Sequence, residues 1–201
     1  MNTSTLICLG DSYTIGEGVE LGKSFPYQTV QLLRKKGYNF NAPEIFAKTG
    51  WTTDELDTAI KGYTCLQKYD FVTLLIGVNN QYRGRDIIEY KDQTEGLIKK
   101  AISLANGKAE RVYVISIPDY SVTPHSENMD RGKISKDIEV FNSVSKALSI
   151  QYKTSYLEIT ESSKNAAQNP ALVAEDGLHP SALEYARWAE KLAELIVAQL
   201  K

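Results

Sequence analysis

Short apolar runs alternate with longer amphipathic stretches along this chain. Residues 5–9 (Thr-Leu-Ile-Cys-Leu) form a continuous apolar run that stops at Gly10-Asp11-Ser12, the pattern of a buried strand ending in a turn. From 25 to 36, Phe25, Val30, Leu32 and Leu33 recur at helical spacing before Lys35-Lys36-Gly37, which predicts an amphipathic helix with a glycine stop. A short strand is expected near Glu44 to Ala47. A helix should follow, capped by Thr52 or Thr53 and running toward Ile60, with Asp54 and Glu55 in the first turn where the macrodipole favours acids.

The same rhythm continues in the second half. Phe71 to Ile76 is an unbroken apolar run ending at Gly77 and reads as a central strand. Ile87, Tyr90, Leu97, Ile98, Ala101 and Leu104 predict a long helix over 86–105, and Val112 to Ile115 predicts a fourth strand. Residues 117–132, with Pro118, Pro124 and Gly132, read as a long loop of the kind that carries function. Ile138, Phe141, Val144, Leu148 and Ile150 define another helix. A weak fifth strand lies near Ser155 to Leu157, and a final helix runs from about Ser181 to Leu200. Strands alternating with helices predict an α/β protein in three layers, a parallel sheet covered on both faces, with ligands at the carboxyl ends of the strands. At 201 residues, with no repeat, low-complexity tract or linker, the chain reads as one domain.

Composition narrows the function only by exclusion. Net charge is -2, with acids and bases interspersed, so the chain lacks the footprint of a nucleic-acid binder and of a polybasic membrane patch. Cys8 and Cys65 lie in or beside apolar stretches without metal or redox spacing and read as buried free thiols. The two histidines, His125 and His179, form no helical zinc motif, so neither a metal nor a cofactor is expected. The apolar run at Leu6 to Leu9 is too short for export or membrane spanning, and on that reading the protein is cytoplasmic.

Three stretches place reactive groups directly after a predicted strand or just ahead of the last helix. Gly10-Asp11-Ser12-Tyr13 leaves a hydroxyl at the sheet edge; a serine there could equally cap a helix. Gly77-Val78-Asn79-Asn80 offers a side-chain amide at the same edge, although asparagine in a turn is usually structural. Asp176-Gly177-Leu178-His179-Pro180 puts an acid and a histidine three residues apart, close enough to bond across a tight turn. A serine becomes a nucleophile when a neutral imidazole takes its proton, and the imidazole needs an acceptor on its other nitrogen to fix the tautomer. An oxyanion then needs preorganised donors, for which the Ser12 N–H, a glycine N–H and the Asn79 amide are candidates.

Leu9-Gly10-Asp11-Ser12, Gly77-x-Asn79-Asn80 and Asp176-x-x-His179-Pro180 resemble, in order and spacing, the first, third and fifth sequence blocks of the GDSL/SGNH hydrolases. Thr49-Gly50-Trp51 occupies the place of the second block, so the resemblance spans residues 9–180. It implies Ser12 as nucleophile, His179 as general base, Asp176 as its partner, and Ser12, Gly50 and Asn79 as oxyanion donors. It also implies a flavodoxin-like five-stranded parallel sheet in the order 2-1-3-4-5. Asn80 departs from the aspartate the family often carries there. The implied activity is carboxylic ester hydrolysis, of the esterase or lysophospholipase kind, through an acyl-enzyme.

Two rival readings are weaker. Gly16 to Ser24 (Gly-Glu-Gly-Val-Glu-Leu-Gly-Lys-Ser) approaches a phosphate-binding loop but misses its first glycine by one position, since Glu17 stands where glycine is required. A noncatalytic binding module would have no use for the full Ser12, His179 and Asp176 set. Without a long apolar segment or lid, a small or single-chain acyl ester is the expected substrate. Tyr13, Tyr82, Arg83 and Tyr120, each following a strand end or a reactive residue, are candidates to line its pocket, with surface packing as the alternative for all four.

Overall fold

Five strands form one parallel sheet in the order β2-β1-β3-β4-β5 in the computed structural model, which describes residues 3–63 and 68–200. The strands are β1 (Leu6–Gly10), β2 (Glu44–Ala47), β3 (Phe71–Leu75), β4 (Val112–Ile115) and β5 (Ser155–Leu157). The α-helices are α1 (Ser12–Ile15), α2 (Phe25–Lys35), α3 (Thr53–Gly62), α4 (Val78–Tyr82), α5 (Ile87–Leu104), α6 (Arg131–Gln151), α7 (Thr160–Lys164) and α8 (Ala182–Ala198). Every residue of β1, β3 and β4 is buried, which is why these segments are apolar throughout instead of alternating.

The period-two geometry of a strand sends successive side chains to opposite faces, and two cores result. Leu6, Cys8, Phe71, Leu75, Tyr113 and Ile115 face one way, against Phe25 and Leu33 of α2 and Trp188, Leu192 and Ile196 of α8. Ile7, Leu9, Val72, Leu74, Val112 and Val114 face the other, against Leu56 of α3 and Leu97, Ile98 and Ala101 of α5. Helices therefore cover both faces of the sheet. Cys8 is a free thiol in the first core, and burial pushes it up to about 12. Cys65 lies outside the described residues.

Sequence and structure differ where the elements are short. Gly77 to Asn80 does not stay a turn but enters α4, a five-residue helix with too few positions to show a period. The 117–132 loop holds two 3-10 turns, Tyr120–Val122 and Pro124–Ser126, and α6 begins at Arg131, well before Ile138, with Ile134 as an additional buried anchor in its first turn. The α3 cap is Thr52, whose N–H donates to Glu55 Oε2 at 2.9 Å in a capping box. No helix among the described residues is long and apolar enough to cross a membrane.

Because β1 sits between β2 and β3, the chain reverses its direction of winding at the β1/β3 boundary. A crevice opens there at the carboxyl ends of the strands. Ser12 follows β1 and Asn79 follows β3, so the topology brings both to that crevice.

Candidate active site

The Ser12 position is built by close packing at the end of β1. A Cβ on Gly10 would lie 2.3 Å from the Leu75 carbonyl oxygen and 2.1 Å from Thr14 Oγ1, so no other residue fits. Asp11 then caps α1, its Oδ1 accepting the Tyr13 N–H at 3.1 Å. The cap is therefore Asp11. Ser12 opens the helix itself, with its hydroxyl directed to the crevice at 6 % exposure.

The histidine arrives on a turn ahead of α8. Asp176 Oδ1 accepts the N–H groups of both Leu178 and His179 at 2.9 Å, which folds the turn, and Asp176 Oδ2 lies 2.6 Å from His179 Nδ1. His179 Nε2 stands 3.0 Å from Ser12 Oγ. An ionised carboxylate at Nδ1 assigns the proton to that nitrogen and leaves the Nε2 lone pair toward the serine. Partial burial raises the Asp176 carboxyl, but the two backbone N–H groups and the imidazole outweigh it and hold the group below the usual carboxylate range. Gly18 packs beneath this turn with φ +84°; a Cβ there would lie 2.8 Å from Ala174 Cβ and 3.3 Å from Asp176 Oδ2. The glycine-rich 16–24 segment thus backs the Asp176–His179 turn.

The Gly50 loop is hydrogen-bonded directly to α4 and its C-terminal end. Gly50 has φ +82°, Asn79 Nδ2 donates to the Trp51 carbonyl at 3.0 Å, and Asn80 holds Thr53. A cleft of about 210 Å³ opens above Ser12, Asn79 and His179, with Tyr82, Tyr120 and His125 along its wall. The three rings stand 6.2–6.5 Å apart. Larger hollows elsewhere are open surface grooves far from this chemistry, one of them beside Glu161 and Lys191.

Of the four expected pocket residues, Tyr13, Tyr82 and Tyr120 line the cleft. Tyr13 is buried with its ring edge on His179 at a centroid distance of 5.4 Å, and the Tyr120 hydroxyl donates to Gln81 Oε1 at 2.9 Å. Arg83 does not line it. Its guanidinium turns away, with Nη2 donating to the Gly50 carbonyl at 2.6 Å and Nη1 to Glu55 Oε1 at 3.3 Å, because two acceptors on the α3 side outcompete an apolar wall. Sequence reasoning missed His125 and Leu178, both on the cleft wall. His125 is placed by its backbone N–H, which donates to the Gly177 carbonyl at 2.9 Å, a contact with no signature in side-chain identity.

Fold and site together define a three-layer α/β protein carrying a Ser–His–Asp chain of contacts at the carboxyl edge of its sheet. The chain belongs to the GDSL-like lipase/acylhydrolase family, whose model matches residues 8–187, and it is accordingly a carboxylic ester hydrolase. No curated protein matches the sequence significantly.

Solved structures match over nearly the whole chain. A lipase/acylhydrolase from Enterococcus faecalis is 16% identical with a TM-score of 0.79, covering 98% of this chain and 97% of its own. TesA is 20% identical with a TM-score of 0.74, covering 96% and 97%. Axe2, an acetylxylan esterase from Geobacillus stearothermophilus, is 18% identical with a TM-score of 0.71, covering 98% and 93%. At these identities the likeness is one of fold.

Proposed function

We propose that the chain hydrolyses small acyl esters through a covalent acyl-serine, with Ser12 as nucleophile, His179 as general base and Asp176 orienting the imidazole. The observation that carries this reading is the continuous contact from Asp176 Oδ2 through His179 to Ser12 Oγ, at 2.6 and 3.0 Å. In the first step Ser12 Oγ bonds to the ester carbonyl carbon while its proton passes to His179 Nε2. The carbonyl π pair becomes an oxyanion, for which the Ser12 N–H, the Gly50 N–H and the Asn79 amide are the proposed donors. Collapse breaks the ester C–O bond, and the leaving alkoxide takes the proton from His179. A water, deprotonated by the same nitrogen, then bonds to the acyl carbon, and the acyl C–Oγ bond breaks as Ser12 Oγ takes that proton back from His179. No cofactor enters these steps.

The size of the cleft supports a short acyl group. At about 210 Å³ it is below the roughly 300–1,000 Å³ of sites for drug-sized ligands and not far above the ~150 Å³ that holds a benzene ring. The aromatic wall would bury the acyl methylenes while the reacting carbonyl stays against Ser12. Covalent labelling by an aryl phosphonate, abolished in Ser12→Ala, tests the mechanism. A p-nitrophenyl ester series tests the size. Undiminished labelling of Ser12→Ala, or higher kcat/KM for long-chain than for acetyl and butyryl esters, would refute the respective half.

A further inference from the structure

Arg83 leaves the substrate cleft to bind a backbone carbonyl, and the carbonyl it selects belongs to the glycine proposed as an oxyanion donor. We infer that Arg83 is a positioning residue for the oxyanion hole, bracing the Gly50 peptide from the helix that also carries Asn79. This inference rests on the proposed donor roles of Gly50 and Asn79.

The segment from Lys48 to Thr52 is a loop between β2 and α3, and Gly50 has φ +82°. Glycine is the residue with the most backbone freedom to lose, so an unbraced N–H here would be poorly preorganised. The Gly50 N–H and carbonyl lie in the two peptide planes flanking one Cα. Bonding the carbonyl fixes one of the dihedrals that aim the N–H. The other plane is anchored from Thr49, whose hydroxyl donates to Glu17 on the Ser12 side of the crevice.

Three side chains of one short stretch grip this loop and the first residue of α3. Arg83 Nη2 takes the Gly50 carbonyl, Asn79 Nδ2 takes the Trp51 carbonyl, and Asn80 holds Thr53 through both its amide atoms. Arg83 closes the last turn of α4, its own N–H donating to the Asn79 carbonyl at 3.1 Å. The brace and the second donor thus come from the same turn, and two hydrogen bonds, to the Gly50 and Trp51 carbonyls, tie the loop to it. Glu55 completes the arrangement by accepting from Arg83 Nη1 while it also accepts the Thr52 N–H. A guanidinium can serve both acceptors at once in a fixed plane; an ammonium cannot hold that geometry.

Electrostatic stability does not account for this placement. The Arg83 and Glu55 side chains are each 41 % exposed, and ion pairs in water contribute little to folding. What the pair does supply is direction.

The test compares Arg83→Ala and Arg83→Lys with the wild type, using p-nitrophenyl acetate turnover, thermal melts and the Kd of phenylboronic acid, whose tetrahedral serine adduct places an oxygen in the hole. Arg83→Ala is expected to lower kcat on the order of tenfold with KM within about twofold, because the interaction lost is made in the transition state. Phenylboronate affinity should fall by a similar factor while the melt stays close to wild type. Millimolar guanidinium ion should restore part of the Arg83→Ala rate, and Arg83→Lys should fall between the two. Unchanged kcat in Arg83→Ala, or a loss confined to KM with phenylboronate affinity intact, would overturn the inference. Ser12→Ala is run alongside: full turnover there would overturn the reading of the site itself, a result separable from failure of the brace.

Discussion

Asn80 holds Thr53 at two points: the Thr53 N–H donates to Asn80 Oδ1 at 3.0 Å, and Asn80 Nδ2 donates to Thr53 Oγ1 at 2.7 Å. The Thr53 hydroxyl in turn donates to Gln93 Oε1. Its neighbour Asn79 faces the cleft instead. Two neighbouring asparagines are therefore placed differently. Asn79→Ala should lower kcat on the order of 10²–10³ and barely change KM. Asn80→Ala should leave the buried Thr53 N–H without its acceptor and cost on the order of 1–3 kcal/mol in stability, with a smaller loss of rate in the folded fraction. Kinetics and melts on both variants decide it; near-wild-type kcat in Asn79→Ala would overturn its proposed role as an oxyanion donor.

Asn80→Asp is a gentler change. A carboxylate can still accept the Thr53 N–H, and the Thr53 hydroxyl can turn to donate to it, giving up Gln93. Activity is expected within several-fold of wild type, with stability altered by about 1 kcal/mol. A larger catalytic defect here than in Asn79→Ala would reverse the assignment of the two amides.

Asp11 makes stability depend on pH. Burial raises its carboxyl to about 7, against the pull of the Tyr13 N–H and its own backbone N–H and with a small push from Glu17. Its Oδ2 is buried without a hydrogen-bond partner. The folded state keeps the proton to higher pH than the unfolded chain does, so stability should fall as pH rises from about 4 to about 7 and level off above that. Asp11→Asn keeps the cap acceptor and removes the charge. Its melting temperature relative to wild type should therefore be more favourable near pH 8 than near pH 5, by several degrees. A difference that is flat across that window would show that ionisation of Asp11 carries no folding cost.

Two glycines with similar backbone angles should respond differently to alanine. Gly18 has φ +84° and Gly37 has φ +88°, so each substitution incurs strain on the order of 1 kcal/mol. At Gly37 no atom lies within 4 Å of a Cβ, whereas at Gly18 it would crowd Ala174 and Asp176. Gly37→Ala should lower the melting temperature and leave kcat unchanged. Gly18→Ala should lower both, because displacing Asp176 disturbs the His179 ring. Equal kcat in the two variants would show that the turn tolerates the extra methyl.

The acyl-length limit should lie in the aromatic wall. Tyr82 is 55 % exposed and stands in ring contact with Tyr120 and His125. Tyr82→Ala opens that side, and each additional acyl methylene accommodated is worth roughly 1 kcal/mol or more. The ratio of hexanoyl to acetyl kcat/KM is expected to rise at least several-fold. An unchanged ratio would move the acyl group to another side of the cleft.

Much of this protein is determined locally. The apolar runs of β1, β3 and β4 and the periodic faces of α2, α5 and α8 mark their elements because burial on two faces, or along one stripe, dictates composition residue by residue. The ordered blocks around Ser12, Gly50, Asn79 and His179 are likewise legible, since each lies at a strand end or before a helix, where the backbone itself sets the position. Asp11 as the cap of α1 and α4 as a helix were not legible, because four- and five-residue helices are decided by their surroundings. Nor was the contact that Arg83 makes, since a long side chain can reach in several directions. Only tertiary structure turned it from the cleft to the Gly50 carbonyl, and brought His125 to the wall through a backbone contact with Gly177. Side-chain type restricts what a residue can bind; which partner stands within reach depends on segments folded together from distant parts of the chain.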